Sequence, residues 1–102
     1  MKFNPDEMLQ RPVQAFEEVV YVLRAGEYAK IGRTTNIARR VQELQVGCPI
    51  EFEILLCVPG GEEEEKWTLD RFRHLRVRGE WFWLSEELQD WIFAARETRS
   101  VK

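Results

Sequence analysis

The sequence has no long apolar run. No stretch is long and apolar enough to span a bilayer, and no signal-peptide hydrophobic region is visible. The expectation is a cytoplasmic chain with no membrane partner. Cysteine is scarce: Cys48 and Cys57 lie nine residues apart, which matches no metal-ligand spacing. Two reduced thiols are what a cytoplasmic protein would carry. Histidine is scarcer still, since His74 is the only one, and it reads as a surface or packing residue. Positive charge is not in excess. The net charge of -3 and pI near 5.3 exclude the signature of a high-affinity, non-specific nucleic-acid binder, which is a basic domain. Without the four glutamates at positions 62–65 the balance would turn slightly positive, so the acidity is concentrated and a local basic patch is still allowed. No internal repeat is visible.

What is present is a chain of 102 residues, 44% hydrophobic and 12% aromatic, which indicates one small globular domain rather than a disordered segment. Residues 1–16, broken by Pro5 and Pro12, read as an N-terminal arm or short helix. A single domain is expected over 17–98, with a tail at 99–102. Residues 17–24 are rich in Val, Tyr and Leu and read as a strand. Positions 25–27 make a tight turn into a second strand at 27–33, so the two form a hairpin. Gly32 is read as a turn glycine. Asn36 caps a helix over 36–46 that ends at Gly47. Residues 50–58 form a third strand, with Ile50, Phe52 and Ile54 alternating against Glu51 and Glu53. Residues 62–75 have helical spacing, 76–79 read as a basic turn, and 80–84 as a short aromatic strand or extended segment. Ser85 caps a last helix with an inward stripe of Leu88, Trp91, Ile92 and Ala95. The expected class is α+β: a three-stranded antiparallel sheet, hairpin plus one strand, flanked by helices.

The strand–helix stretch from Tyr28 to Arg40 brings Arg33, Arg39 or Arg40 near a helix N-terminus, where anions are favoured. Helical phase separates the three. Ile37, Val41 and Leu44 share a face, Arg40 lies beside that stripe, and Arg39 points away. A guanidinium held at the edge of a core suits bidentate phosphate contact, and equally suits pairing with a carboxylate. In the helix at 62–75, Glu65 shares the inward face of Leu69 and Phe72. A carboxylate there needs a partner, either a salt bridge to Arg40 or Arg76 or a metal. Glu62, Glu63 and Glu64 read as solvated acids near a helix start. On the first strand Val20 and Val22 face one side and Val19, Tyr21 and Leu23 the other. The Tyr21 hydroxyl is either a core hydrogen bond or a group pointing to a site beside Lys30 and Arg40. Neighbouring cations favour the phenolate, which would make it a base for water.

Taken together these segments resemble the GIY-YIG nuclease superfamily. The nearer similarity is to its branch of phage and fungal proteins with KIG in place of YIG and a GEWF segment. The residues that carry it are Val19-Val20-Tyr21, Lys30-Ile31-Gly32-Arg33-Thr34, Arg40, Leu44-Gln45-Val46-Gly47-Cys48-Pro49, Glu65 and Arg76-Val77-Arg78-Gly79-Glu80-Trp81-Phe82. The resemblance implies hydrolysis of DNA phosphodiesters with one divalent metal, Mg²⁺ or Mn²⁺. It implies Tyr21 as general base, Arg40 as the residue that steadies the scissile phosphate, and Glu65 as the metal carboxylate. Lys30 stands at the YIG tyrosine position, where it would contact phosphate or act on Tyr21. Tyr28, on the same strand face, is a substitute phenol. Arg33, Thr34, Arg76 and Arg78 are further candidate substrate contacts. Trp81, Phe82 and Trp83 are read as closing the sheet, with Glu80 pairing with an arginine. Three positions depart from the family: Val19 at the GIY glycine, Lys30, and Leu69 where the branch often has His. They leave a second expectation open, a non-catalytic module that binds nucleic acid or protein. A catalytic domain this small would need a protein partner or another domain to supply specificity.

Overall fold

The computed structural model describes residues 17–101, with side chains to residue 96; the expected N-terminal arm lies outside the described residues. The elements run β1 (Val19–Ala25), β2 (Tyr28–Thr34), α1 (Ile37–Gln45), β3 (Glu53–Pro59), α2 (Glu62–Arg71), a 3-10 turn (Arg73–Leu75), β4 (Arg76–Arg78), β5 (Trp81–Trp83) and α3 (Glu86–Val101). β1 and β2 form the expected hairpin, its two-residue loop held by Gly26 at φ 63, a left-handed conformation that costs glycine little.

The sheet has five strands in the order β3-β1-β2-β5-β4, every pair antiparallel. This corrects the three-stranded expectation. The residues read as a basic turn, Arg76, Val77 and Arg78, form edge strand β4. All three are exposed, so β4 leaves no burial pattern in the sequence, and its arginines suit an edge that must not pair further. The helix expected over 62–75 stops at Arg71 and gives way to the 3-10 turn.

Alternation along β1 and β2 sorts the sheet into two faces. Val20, Val22, Ala29 and Ile31 join Leu56, Val58, Phe72, Phe82, Leu88 and Ile92 in the hydrophobic core, so α2 and α3 cover this face. The opposite face carries the cross-strand pairs Tyr21–Gly32 and Leu23–Lys30. In β3 the pairing slips between Val22 and Leu23, whose partners are Leu56 and Ile54. The extra residue, Leu55, turns Ile54 away from the core face and leaves it half exposed. The regular alternation of Ile50, Phe52 and Ile54 therefore does not mark the core: Ile50 and Phe52 precede the strand, and its buried residues are Leu56, Val58 and Pro59. Among the described residues no helix is long and apolar enough to cross a membrane.

Candidate active site

Gly32 is not in a turn. It sits within β2 and pairs directly with Tyr21. A Cβ at Gly32 would lie 2.5 Å from the Tyr21 hydroxyl oxygen and 2.7 Å from ring Cζ. The phenol therefore lies across the strand backbone, in the space that any side chain at 32 would fill. Tyr21 is 1% exposed. Gly32→Ala is expected to overpack this contact and lower stability by about 1–3 kcal/mol in urea denaturation. A midpoint equal to that of the parent would contradict the close approach.

The hydroxyl of Tyr21 accepts a hydrogen bond from Arg40 Nε at 3.4 Å. Helical phase explains why Arg40 is the arginine that arrives. The Asn36 side chain accepts from the Arg39 backbone N–H at 3.0 Å and fixes where α1 starts. Thr34 Oγ1 accepts from the Asn36 N–H at 3.1 Å, so this candidate substrate contact is engaged in shaping the entry to α1. Arg40 is then half-buried beside Ile37, Val41 and Leu44, and its other arm reaches Glu43 at 3.5 Å. Arg39 is exposed and pairs with Glu43 at 3.2 Å. The hydrogen bond to Tyr21 raises the Arg40 pKa, ahead of the smaller effect of Glu43, so the guanidinium is held as a cation.

Glu65 approaches the same segment from the other face. It sits in the first turn of α2, with a side chain only 15% exposed. Its partner is Arg33, whose Nε donates to Glu65 at 3.1 Å while another arm donates to Glu18. This replaces both expected partners, Arg40 and Arg76. The reason is alternation: Arg33 shares the face of Ile31, toward α2. The two ion pairs raise the Arg33 pKa. Burial pushes the Glu65 carboxyl above the usual carboxylate range, the charge of Glu80 adds to that, and Arg33 opposes it.

Glu80 is the functional candidate that sequence reasoning missed. It pairs with Lys30 at 3.1 Å rather than with an arginine. Gly79, at φ 55, precedes it in the β4–β5 turn, and the Glu80 backbone carbonyl accepts from the Ile31 N–H at 3.1 Å. The Glu80 carboxylate thus stands between Lys30 and Glu65. Lys30 is 7% exposed, with its ammonium 5.8 Å from the centre of the Trp81 ring. The GEWF segment is the available signal, but its aromatic residues point first to a structural role.

The result is a chain of charges, Lys30–Glu80–Glu65–Arg33–Glu18, bordering the Ile31–Arg33 segment that the Tyr21 ring lies across. Tyr21, Lys30, Arg40 and Glu65 are gathered around one short stretch of β2. Tyr28 lies on the same face but further along, stacked on Trp83 with centroids 4.9 Å apart. Arg76 and Arg78 are on the edge strand, away from this cluster. Leu69 packs against the core. His74 pairs on the surface with Glu87 at 2.7 Å, and both cysteines are half-buried thiols. Glu64 is more than a solvated acid: its carboxylate accepts the Gly61 N–H at 2.7 Å and caps α2.

Among the described residues no three His, Cys, Asp or Glu side chains cluster as a ready metal cage. The Glu65–Glu80 pair does fit a hard divalent cation. It offers oxygen donors, and burial together with the charge of Glu80 raises the cost of charging Glu65, which a cation would relieve. Mg²⁺ is held in this way, by one or two carboxylates with water and substrate phosphate.

The family model of the T5orf172 domain matches residues 18–97. No curated protein and no solved structure matches the chain.

Proposed function

The chain belongs to the T5orf172 domain family, a GIY-YIG-like, nuclease-associated domain, and from that premise we propose a metal-dependent endonuclease that hydrolyses DNA phosphodiester bonds. Within that family we read it as a member of the KIG and GEWF branch. One observation carries the reading: the Tyr21 hydroxyl lies over Gly32 and accepts from Arg40, while the half-buried Glu65 and Glu80, paired with Arg33 and Lys30, border the same short stretch of β2.

In this reading Tyr21 takes the proton from an attacking water. The Arg40 guanidinium, donating to the phenol oxygen at 3.4 Å, holds the hydroxyl in place for that transfer. The remaining N–H groups of Arg40 hold the non-bridging oxygens of the scissile phosphate, as a planar fork is suited to do. Glu65, with Glu80 beside it, would hold Mg²⁺ or Mn²⁺, which when bound would supply Lewis-acid stabilisation of the charge that builds on the phosphate. Lys30, fixed on Glu80, keeps that carboxylate in place and adds positive charge next to the phosphate. Water oxygen bonds to phosphorus as the phosphorus–oxygen bond to the sugar breaks. DNA is the substrate in this reading, and sequence or structure specificity comes from a protein partner or another domain.

A non-catalytic binding module is the second reading. It is favoured by Lys30, a charged amine locked on Glu80 at the place of a phenol in the wider superfamily. DNA cleavage by the parent with Mg²⁺ separates the readings, and Arg40→Ala and Arg39→Ala then test the phosphate clamp. Arg40→Ala is expected to lower the rate of DNA cleavage with Mg²⁺ about 10²-fold or more, the scale of losing a positioned phosphate donor. Arg39→Ala removes only a surface pair and should stay within about twofold. Equal losses in both variants would argue that the helix contributes general positive charge and no specific clamp.

A further inference from the structure

The sheet face that carries Tyr21 and Lys30 continues across β5 and β4, where it exposes aromatic rings. Trp81 is the cross-strand neighbour of Lys30, and Arg78 is the neighbour of Trp81 on the other side. Tyr28 and Trp83 pair across the same strands and stack on each other. Between Tyr28, Trp81, Ile50, Val77 and Arg78 lies a cleft of about 410 Å³. Tyr28 is 39% exposed and Trp83 48%. Exposed rings grouped on one sheet face mark a surface with a partner.

We propose that this cleft takes an unpaired nucleobase of the DNA strand, inserted beside Tyr28 so that it extends the Tyr28–Trp83 stack, with Arg78 on a neighbouring phosphate. The inference rests on the nuclease reading for the choice of DNA, and it names the substrate class: DNA with single-stranded character at the site. Three features argue for a base. The walls include flat π surfaces from Tyr28 and Trp81, which stack on any base without regard to sequence. The cleft carries an exposed guanidinium, Arg78, in its lining beside Trp81, which matches a base with a phosphate next to it. It is also continuous, through the Lys30–Trp81 pair, with the residues assigned to the scissile phosphate. A base paired inside a duplex could not enter. An aliphatic side chain of a protein partner would be served by apolar walls alone and gains nothing from the guanidinium.

The test uses the full chain in EDTA, so that binding is read without cleavage. Tryptophan fluorescence is titrated with a short oligothymidylate, with the same strand made abasic, and with a blunt duplex. The base-bearing single strand is expected to bind more tightly than the other two. Tyr28→Ala should weaken it about 5- to 100-fold, the scale of one lost base stack, with no change toward the abasic strand. Arg78→Ala should weaken both strands and reduce the slope of affinity against salt by about one. If the alanine variant loses its circular dichroism, Tyr28→Leu, which keeps apolar volume but has no π face, carries the test. Equal affinity for the thymidylate and abasic strands would overturn the proposal. So would a dimer in sedimentation that dissociates on Tyr28→Leu, which would make the cleft a contact between copies of the chain. Base-dependent binding without any metal-dependent cleavage would uphold the cleft and remove only the nuclease reading, whereas cleavage without base dependence would remove only the cleft.

Discussion

Glu65→Gln is expected to lower DNA cleavage about 10³-fold or more while the protein stays folded. The amide keeps the size of the side chain and an oxygen that can accept from Arg33, so the hydrogen bond at 3.1 Å has a replacement. What it removes is the negative charge that would hold a divalent cation, and Lewis-acid stabilisation of several kcal/mol corresponds to a loss on that scale. A second readout does not depend on activity. Mg²⁺ should raise the melting temperature of the parent, because a ligand bound only by the folded state stabilises it, and should not raise that of the variant. A third follows from the charge itself. The folded Glu65 carboxyl has a pKa above its ordinary value, through burial and the nearby Glu80. The native state therefore binds this proton more tightly than the unfolded state does. Its contribution to stability is largest at acid pH and falls as pH rises from the ordinary carboxylate range through the raised folded value. The stability of the parent relative to Glu65→Gln, from urea denaturation in a pH series, should decline across that interval. A relative stability that rises with pH would contradict the assigned environment of Glu65.

Tyr21→Phe is the second large effect, a fall in cleavage rate of roughly 10²–10⁴-fold, the range for loss of a general base. The substitution is close to isosteric. The ring still lies over Gly32 and fills the same volume, while the 3.4 Å hydrogen bond from Arg40 disappears with the hydroxyl. Stability should change by less than about 1.5 kcal/mol, the usual net worth of such a bond. The Mg²⁺ shift in melting temperature should persist, because Glu65 is untouched. Rate loss with stability and metal response retained would separate a base from a packing residue. A Tyr21→Phe protein that cleaves as fast as the parent would remove Tyr21 from the chemistry and pass the role of base to another group.

Part of this arrangement is legible in the chain alone. The hairpin follows from a Val-rich run, a short turn and a second run through Tyr28 and Ile31, and the Asn36 cap sets the phase that singles out Arg40 from Arg39. Alternation along β1 places Val20 and Val22 in the core and Tyr21 opposite them. Glu65 stands out because a carboxylate on an inward helical face needs a partner. What is not legible depends on contacts between distant segments. Gly32 reads as a turn glycine, because its real role is to leave room for a side chain eleven positions earlier in the sequence, and only the β1–β2 register shows that. The Arg33–Glu65 pair needs strand alternation and helix phase combined, across the face chosen by Ile31. β4 is a fully exposed edge strand, so it has no hydrophobic period to detect. Glu80 reaches Lys30 only because β5 pairs with β2, a neighbour relation the linear order conceals.

The central claim is that the residues gathered around Gly32 cut DNA with a divalent metal. The most direct measurement is incubation of the wild-type chain with supercoiled plasmid and with branched DNA, in Mg²⁺ or Mn²⁺ and in EDTA, with Glu65→Ala alongside. Nicked or linear products from the wild type with metal, none in EDTA and none from Glu65→Ala are the predicted result. No product from the wild type on either DNA with either metal, or equal product from Glu65→Ala, would contradict it.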